Sequence, residues 1–200
     1  MIPNSLKTFI FIGRSGCGKG TQVKILMEQL KKKQENEEIF YLQTGQHFRD
    51  FIKKDGFANK LANKIMDVGD RQPDFLAIWI WSSVFLENIK NEEHLIIDGT
   101  PRSLNEARTL DTAIKFFKRE KPFVVYIDVT REWSEERLLA RGREDDIEIE
   151  DIRKRLDWFE DDVLPAVSFF KDNPDYNFIY VNGEQTIEEV GEEMMDKINI

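Results

Sequence analysis

The residues with the clearest chemistry lie between Gly13 and Thr21, directly after an apolar run. The G-x-x-x-x-G-K spacing of a phosphate-binding loop is met by Gly13, Arg14, Ser15, Gly16, Cys17, Gly18, Lys19, Gly20 and Thr21. Glycines allow backbone N–H groups to curl around an anion, and the following helix adds the positive end of its dipole. Lys19 can then reach the outer phosphates as a mobile charge. The alternative is a glycine-rich turn with a solvated lysine.

Three other polar segments come directly after apolar runs typical of buried strands: 44–49, 98–102 and 129–141. Because parallel strands of one sheet end at the same edge, we expect these segments to meet the phosphate loop at a single cleft. Positive charge is concentrated as well, since five of the twelve arginines lie between Arg137 and Arg155. Arg137 and Arg141 are four residues apart, so on a helix both can face the cleft. The alternative is a salt-bridged helical hairpin that binds no ligand.

Alternating strands and helices must position these segments. Apolar runs predict strands over 7–12, 39–42, 94–97, 123–129 and 177–181. Helices are predicted over 19–33, from Thr44, over 57–68, from Pro73, from Ser103, over 133–141, over 149–171 and from Thr186. Thr44, Ser103 and Thr186 are the expected N-caps. The order predicts an α/β fold, a P-loop doubly wound parallel five-stranded sheet with helices on both faces. The helix after Pro73 is apolar on nearly all sides, which predicts that it is buried.

The composition excludes several classes of protein. The 200 residues suit one domain, and the 40% apolar and 34% charged fractions indicate a globular chain. A net charge of −9 argues against general binding to nucleic acid or to an anionic membrane, and no apolar run is long enough to span one. The single cysteine excludes an internal disulfide and a cysteine-rich zinc site. Since no signal-peptide pattern is present, a cytoplasmic location is expected.

The segments that follow the strands resemble the motifs of the adenylate kinase family of nucleoside monophosphate kinases, in its short-lid form. The sequence GKGT at 18–21 is similar to that family's phosphate loop. Thr44-Gly45 with Arg49, and the run 98–102, resemble its acceptor-side motifs. The motifs occur in the family's order over nearly the whole chain, which makes them more specific together than singly.

The resemblance implies an enzyme that transfers the γ-phosphoryl group of ATP to a nucleoside monophosphate with Mg²⁺. Its partners would be these two nucleotides, with no nucleic acid or membrane, and it would be a monomer. The resemblance also implies one kinase domain over 1–200, with an acceptor-binding insertion at 44–73 and a short lid at 142–148. Such a reaction depends on placing two nucleotides and neutralising charge, because the acceptor phosphate is already an ionised nucleophile.

The same resemblance assigns roles to single residues. The ATP site would comprise Gly13, Arg14, Ser15, Gly16, Cys17, Gly18, Lys19, Gly20, Thr21, Arg137, Arg141, Gly183 and Gln185. The acceptor site would comprise Thr44, Gly45, Arg49, Gly99, Arg102, Glu106, Arg143 and Arg155. The catalytic groups would be Lys19, Arg102, Arg137, Arg143 and Arg155. Asp98 would hold the magnesium ion through water.

Three departures from the family pattern bear on function. Ser15 stands where the phosphate loop usually has proline, and Gln46 stands where the acceptor motif usually has aspartate. Glu106 stands where adenylate kinases have a glutamine whose amide both donates to and accepts from adenine. A carboxylate only accepts, which suits guanine or a pyrimidine better than adenine N1. AMP is the first expectation because the rest of the pattern is adenylate kinase-like, with GMP or a pyrimidine nucleotide as the alternative.

Two other functional classes stay open at this point. An NTPase is disfavoured because Gly20 occupies the position of the usual magnesium-binding serine or threonine. A non-catalytic nucleotide-binding module would keep the phosphate loop without turnover. The complete set of arginines expected around the transferred phosphoryl group argues against that module.

Overall fold

The computed structural model describes residues 6–33, 37–141 and 149–199, except for the side chain of Arg141. Its strands are β1 (Thr8–Ile12), β2 (Glu38–Gln43), β3 (Glu93–Asp98), β4 (Phe123–Asp128) and β5 (Asn177–Asn182). They form one sheet in the order β2-β3-β1-β4-β5, and every neighbouring pair is parallel. The predicted α/β fold with a five-stranded parallel sheet is therefore confirmed.

Helices precede and follow the strands along the chain. They are α1 (Lys19–Lys33), α2 (Thr44–Ile52), α3 (Phe57–Asp67), α4 (Asp74–Asn88), α5 (Leu104–Phe116), α6 (Arg131–Arg141), α7 (Ile149–Trp158), α8 (Leu164–Lys171) and α9 (Ile187–Ile198). A π-helical turn, Phe159–Val163, joins α7 to α8. Within the described part of the chain, no helix combines the length and apolar character that a membrane span requires.

The core has two layers because helices cover both faces of the sheet. Phe9 and Phe11 of β1 pack in one cluster with buried residues of α1 and α9. Ile10 and Ile12 point to the opposite face and pack with buried residues of α4, α5 and α8. Alternate side chains of a strand face opposite sides, so an apolar run buried on both faces is what a central parallel strand requires. Burial of each such side chain contributes about 1.5–3 kcal/mol.

The strand order explains where a ligand can bind. The chain passes from β1 to the side of the sheet that holds β2 and β3, and then crosses back to β4 and β5. The loops that follow β1 and its neighbours therefore lead away in opposite directions and leave a crevice between them. Ligands of open parallel sheets bind at such a point, outside the carboxyl ends of the strands.

The prediction that α4 is buried is wrong for one of its faces. Trp81 and Phe85 are buried, but Phe75 is 74% exposed and Leu86 is 70% exposed. Trp79 is also exposed, and its ring packs edge-on against Phe51 of α2 at 5.9 Å. Periodicity cannot identify the outer face of a helix when apolar residues occupy every side, because no polar stripe marks it.

Two further local predictions need correction. Thr44 is the first residue of α2 rather than its N-cap, and its hydroxyl donates to Thr100 Oγ1 at 3.1 Å. The single helix predicted over 149–171 is interrupted by the π turn, because Pro165 has no N–H to continue the α-helical ladder. The other two predicted caps, Ser103 and Thr186, are confirmed, since each side chain accepts a backbone N–H of its helix.

Candidate active site

A cleft of about 850 Å³ lies outside the carboxyl ends of the strands. Its walls contain most of the residues that the sequence motifs singled out: Ser15, Gly16, Gly18, Lys19, Gly20, Thr21, Gly45, Arg49, Asp98, Gly99, Arg102, Arg137 and Arg155. Segments far apart in the sequence thus meet at one crevice, as their position after parallel strands predicts. A second cavity, of about 450 Å³, lies beside Pro122 and Tyr176 at the opposite, amino-terminal ends of β4 and β5.

The phosphate loop joins β1 to α1. A Cβ at Gly13 would lie 2.5 Å from the carbonyl oxygen of Ile127, so no larger residue fits there. Gly18 has a φ of 92°, in the left-handed region that favours glycine. Lys19 Nζ donates to the carbonyl oxygens of Gly13 at 2.6 Å and Arg14 at 2.9 Å. The ammonium group therefore lies against the loop at the N-terminus of α1, where the helix dipole adds positive potential.

Five residues of the predicted ATP site do not line the cleft: Gly13, Arg14, Cys17, Gly183 and Gln185. Cys17 is buried in the core with residues of β1 and α1. Gly183 follows β5, and its N–H donates to the carbonyl oxygen of Asp128 at 2.8 Å. The amide of Gln185 donates to the Glu193 carboxylate at 2.6 Å. In this structure the hydrogen bonds of Gly183 and Gln185 and the core packing of Cys17 stabilise the segments around the crevice.

The α6 side of the cleft is described only in part. Arg137 lines the cleft, and its guanidinium stacks on the ring of Trp133 at 4.6 Å. The side chain of Arg141 lies outside the described residues, as do Arg143 and the predicted lid at 142–148. The structure thus places one of the three arginines predicted on this side.

Two arginines meet on the predicted acceptor side of the cleft. A Cβ at Gly45 would lie 3.6 Å from Arg49 Nη1 and 3.8 Å from Arg102 Nη2, so both guanidinium groups surround the same point. Arg102 Nε donates to the carbonyl oxygen of Gly99 at 2.8 Å. Arg49 donates from Nε at 3.2 Å and from Nη2 at 2.9 Å to Gln46 Oε1. Gln46 therefore orients Arg49 with a neutral amide.

Burial and several charged groups together determine the pKa of Arg102. Burial lowers the pKa of Arg102, and the positive charges of Arg155 and Arg49 lower it further, while the carboxylates of Glu106 and Asp98 raise it. Arginine stays protonated at any physiological pH, so these guanidinium groups remain charged in spite of their mutual repulsion. A cluster of partly desolvated positive charges of this kind favours a multivalent anion such as a pair of phosphate groups.

Glu106 lies behind the acceptor side of the cleft and is 1% exposed. Its carboxylate accepts from Thr100 Oγ1 at 3.3 Å and lies 4.0 Å from Arg71 Nη1. Burial raises the pKa of Glu106 to about 7, although Arg102 and Arg71 act to lower it. The group is therefore partly protonated near neutral pH, and a protonated carboxyl can both donate and accept, as the amide of glutamine does.

Asp98 is the carboxylate that the sequence pattern associates with magnesium. It ends β3 and lines the cleft, and the hydroxyl of Tyr41 donates to its Oδ2 at 3.0 Å. No group of three or more His, Cys, Asp and Glu side chains that could hold a metal ion occurs in ranges 6–33, 37–141 and 149–199. Mg²⁺ commonly binds one or two carboxylates together with water and nucleotide phosphates. Asp98 therefore fits an ion that arrives with a nucleotide.

The cleft also contains residues that the sequence patterns did not single out: Lys24, Tyr41, Gln43, Phe48, Met66, Gly69, Asp70, Gln72, Ala140 and Trp158. Trp158 donates from Nε1 to the carbonyl oxygen of Gly69 at 3.2 Å, and its ring lies 5.8 Å from the guanidinium carbon of Arg102. Its position three residues after Arg155 on α7 was a usable signal, because such residues share a helix face. No comparable signal marks Gln72, which donates to the carbonyl oxygen of Ala62 at 2.8 Å.

Comparisons with known proteins agree with this geometry. A family model described as adenylate kinase matches residues 11–174. The adenylate kinase of Flavobacterium psychrophilum is 33% identical over 194 residues, which cover 95% of this chain and 97% of that protein. The adenylate kinase of Leptospira biflexa is 35% identical over 170 residues, covering 83% and 87% of the two chains. Adenylate kinase 1 of Nostoc sp. is 32% identical over 185 residues, covering 92% and 95%. Because these matches extend over most of its length, the chain belongs to the adenylate kinase family of nucleoside monophosphate kinases, which are phosphotransferases.

Proposed function

We propose that this kinase transfers the γ-phosphoryl group of ATP to AMP. The observation that carries the proposal is the shared cleft, in which Lys19 and the phosphate loop lie on one side and Arg49 and Arg102 on the other. A phosphate group bound at each side would face the other across the crevice. The relatives named adenylate kinase support the same acceptor.

In this proposal the protein's own groups place the reactants and neutralise charge. Lys19 and the amides of the loop bind the outer phosphates of ATP, and Arg49 binds the acceptor phosphate. Arg102 and Arg155 approach the phosphoryl group in transfer, where guanidinium groups stabilise the charge that spreads over its oxygens. Asp98 would hold Mg²⁺ through water, and the ion would neutralise charge on the β- and γ-phosphates. No general base is required, because the acceptor phosphate is already ionised.

Exclusion of water is the second requirement, because water would otherwise accept the γ-phosphoryl group. We assign this role to the acceptor-binding insertion at 44–73 and to the short lid at 142–148. Closure of both segments over the nucleotides would also bring the remaining arginines, Arg141 and Arg143, toward the phosphates.

The acceptor base depends on the protonation of Glu106. A protonated carboxyl can donate one hydrogen bond to the adenine edge and accept another from it, as the family's glutamine does. An ionised carboxylate only accepts, which favours the N–H donors of guanine or a pyrimidine. The raised pKa of Glu106, about 7, supports AMP as the acceptor at neutral and lower pH. GMP or a pyrimidine nucleotide is the second candidate for the acceptor, at a pH above the pKa of Glu106.

The direct test is a panel of AMP, GMP, CMP and UMP with MgATP, scored for the diphosphate product. The assay is run below and above pH 7, so that the charge on Glu106 changes. We expect AMP to be the best acceptor in the lower range. Release of inorganic phosphate without any diphosphate would indicate an NTPase, and nucleotide binding without turnover would indicate a non-catalytic module.

A further inference from the structure

The π turn between α7 and α8 contacts two segments that flank the cleft. It follows Arg155 within one helical turn and contains three consecutive acidic residues, Glu160, Asp161 and Asp162. Wide turns inserted into helices occur frequently at functional sites. Two of the three carboxylates contact arginines that flank the cleft, Arg14 and Arg71, and a helix of uniform α-geometry would space these carboxylates differently.

Glu160 reaches the phosphate loop. Its Oε1 accepts from Arg14 Nη2 at 3.0 Å, and Arg14 Nη1 donates to the carbonyl oxygen of Val129 at 3.1 Å. The guanidinium of Arg14 also lies over the ring of Phe159, 4.7 Å from its centroid. With only 12% of its side chain exposed, Arg14 holds the loop through two carboxylates, Glu160 and (at 3.7 Å) Asp128, through a carbonyl oxygen and through an aromatic ring. This restraint acts next to Ser15, which lacks the fixed φ of proline.

Asp162 reaches the acceptor side of the cleft. Its Oδ2 accepts from Arg71 Nε at 3.0 Å, and Arg71 Nη1 donates to Asp74 Oδ1 at 2.5 Å. Arg71 precedes Gln72, which lines the cleft, and lies 4.0 Å from Glu106. The hydrogen bond from Arg71 to Asp162 therefore fixes the end of the insertion at 44–73 relative to the helix that presents Arg155.

Asp161 lies between these two residues and provides an internal comparison. It is exposed, and among the described residues its side chain has no hydrogen bond or ion pair. Three neighbouring carboxylates therefore have three different surroundings: the phosphate loop, solvent, and the acceptor segment.

We propose that the π turn positions both nucleotide sites, with Glu160 setting the phosphate loop through Arg14 and Asp162 setting the acceptor segment through Arg71. Both sites are thereby aligned to the same helix, α7, on which Arg155 faces the cleft. These four side chains are positioning residues, since none of them lines the cleft. The inference rests on the proposed transfer between ATP and AMP, because it concerns the alignment of those two substrates.

The test compares three substitutions that each remove one negative charge at nearly constant volume: Glu160→Gln, Asp162→Asn and the control Asp161→Asn. Loss of a single oriented ion pair predicts a rise of about fivefold in the KM and Kd of one substrate only. Glu160→Gln is expected to weaken MgATP, Asp162→Asn to weaken AMP, and Asp161→Asn to change neither. A purely structural role would lower the melting temperature without separating the two substrates.

A double-mutant cycle tests whether Glu160 acts on the phosphate loop through Arg14. The effects of Glu160→Gln and Arg14→Gln are expected to be less than additive, because both break the contact between Arg14 and Glu160. Each substitution also breaks one contact of its own, with Arg131 for Glu160 and with Asp128 for Arg14. Equal effects on both substrates, effects no larger than those of Asp161→Asn, or additive effects in the cycle would each overturn the inference. Calorimetry gives the dissociation constants of ATP and AMP for each variant, and these constants test the positioning role without any need for phosphoryl transfer. A failure of the proposed function would be seen separately, as the absence of phosphoryl transfer in the unmodified protein.

Discussion

At the scale of single residues, the charged groups of the cleft are held by bonds within the protein. Lys19 donates to carbonyl oxygens of its own loop, Arg49 donates to Gln46, and Arg102 donates to the carbonyl oxygen of Gly99. Such bonds limit the conformations of long side chains before a nucleotide binds. Less conformational entropy is then lost on binding, which favours affinity and correct orientation.

The contact between Gln46 and Arg49 gives one prediction. Gln46→Ala removes the oxygen that accepts two hydrogen bonds from Arg49, so the KM for AMP should rise about tenfold, since a hydrogen bond to a charged group contributes about 1.5–3 kcal/mol. The KM for MgATP should be unchanged, because Gln46 belongs to α2 on the acceptor side. Glu at this position keeps an acceptor oxygen, so Gln46→Glu serves as the control and should retain affinity for AMP in steady-state kinetics.

Glu106 gives a prediction about stability and pH. Its pKa is about 7 in the folded protein, against an ordinary value of 4.5, so between these values the folded state binds more protons than the unfolded chain. The contribution of Glu106 to stability therefore falls as pH rises through this range, by up to about 3 kcal/mol, and changes no further above it. Glu106→Gln removes this dependence.

Thermal unfolding of both proteins across that pH range measures the effect. The melting temperature of the Glu106→Gln variant should exceed that of the unmodified protein by an amount that grows up to about pH 7. Two melting curves that run parallel in pH would show that the buried carboxyl is ionised throughout.

At the scale of secondary-structure elements, helix ends decide where the cleft segments begin. Ser103 caps α5 by accepting from Glu106 N, and its own hydroxyl donates to Asp74 Oδ1 at 2.8 Å. Thr186 and Glu189 form a reciprocal capping box at the start of α9. Such caps satisfy backbone N–H groups that have no partner within the helix.

The capping box predicts a measurable loss of stability. Thr186→Ala removes the hydroxyl that accepts from Glu189 N, and should lower the free energy of unfolding by about 1 kcal/mol. Thr186→Ser keeps the hydroxyl and should be close to the unmodified protein. Urea unfolding followed by circular dichroism compares the three, and equal midpoints for all of them would contradict the assignment.

Elements that depend on local pattern were predictable, and those that depend on packing were not. The strands and the phosphate loop follow from apolar runs and glycine spacing, which are properties of neighbouring residues. The exposed face of α4, with Phe75 and Trp79, depends on which helices cover it. The π turn likewise depends on how the chain accommodates Pro165 within a packed helix.

At the scale of the whole molecule, a net charge of −9 coexists with a cleft lined by positive groups. The strand order brings these groups together, because loops from separate parts of the chain end at one edge of the sheet. The grouping of the cleft residues was therefore predictable from the sequence. Their partners were not, since the bond from Arg14 to Glu160 joins residues 146 positions apart through tertiary packing.

The central claim is that two nucleotides lie in one cleft and exchange a phosphoryl group directly. ATP labelled in its γ-phosphate, incubated with the protein, Mg²⁺ and AMP, tests this claim in one measurement. We predict that the label appears in ADP, that its transfer requires AMP, and that almost none appears as inorganic phosphate. Label released as inorganic phosphate at the same rate with and without AMP would contradict the account.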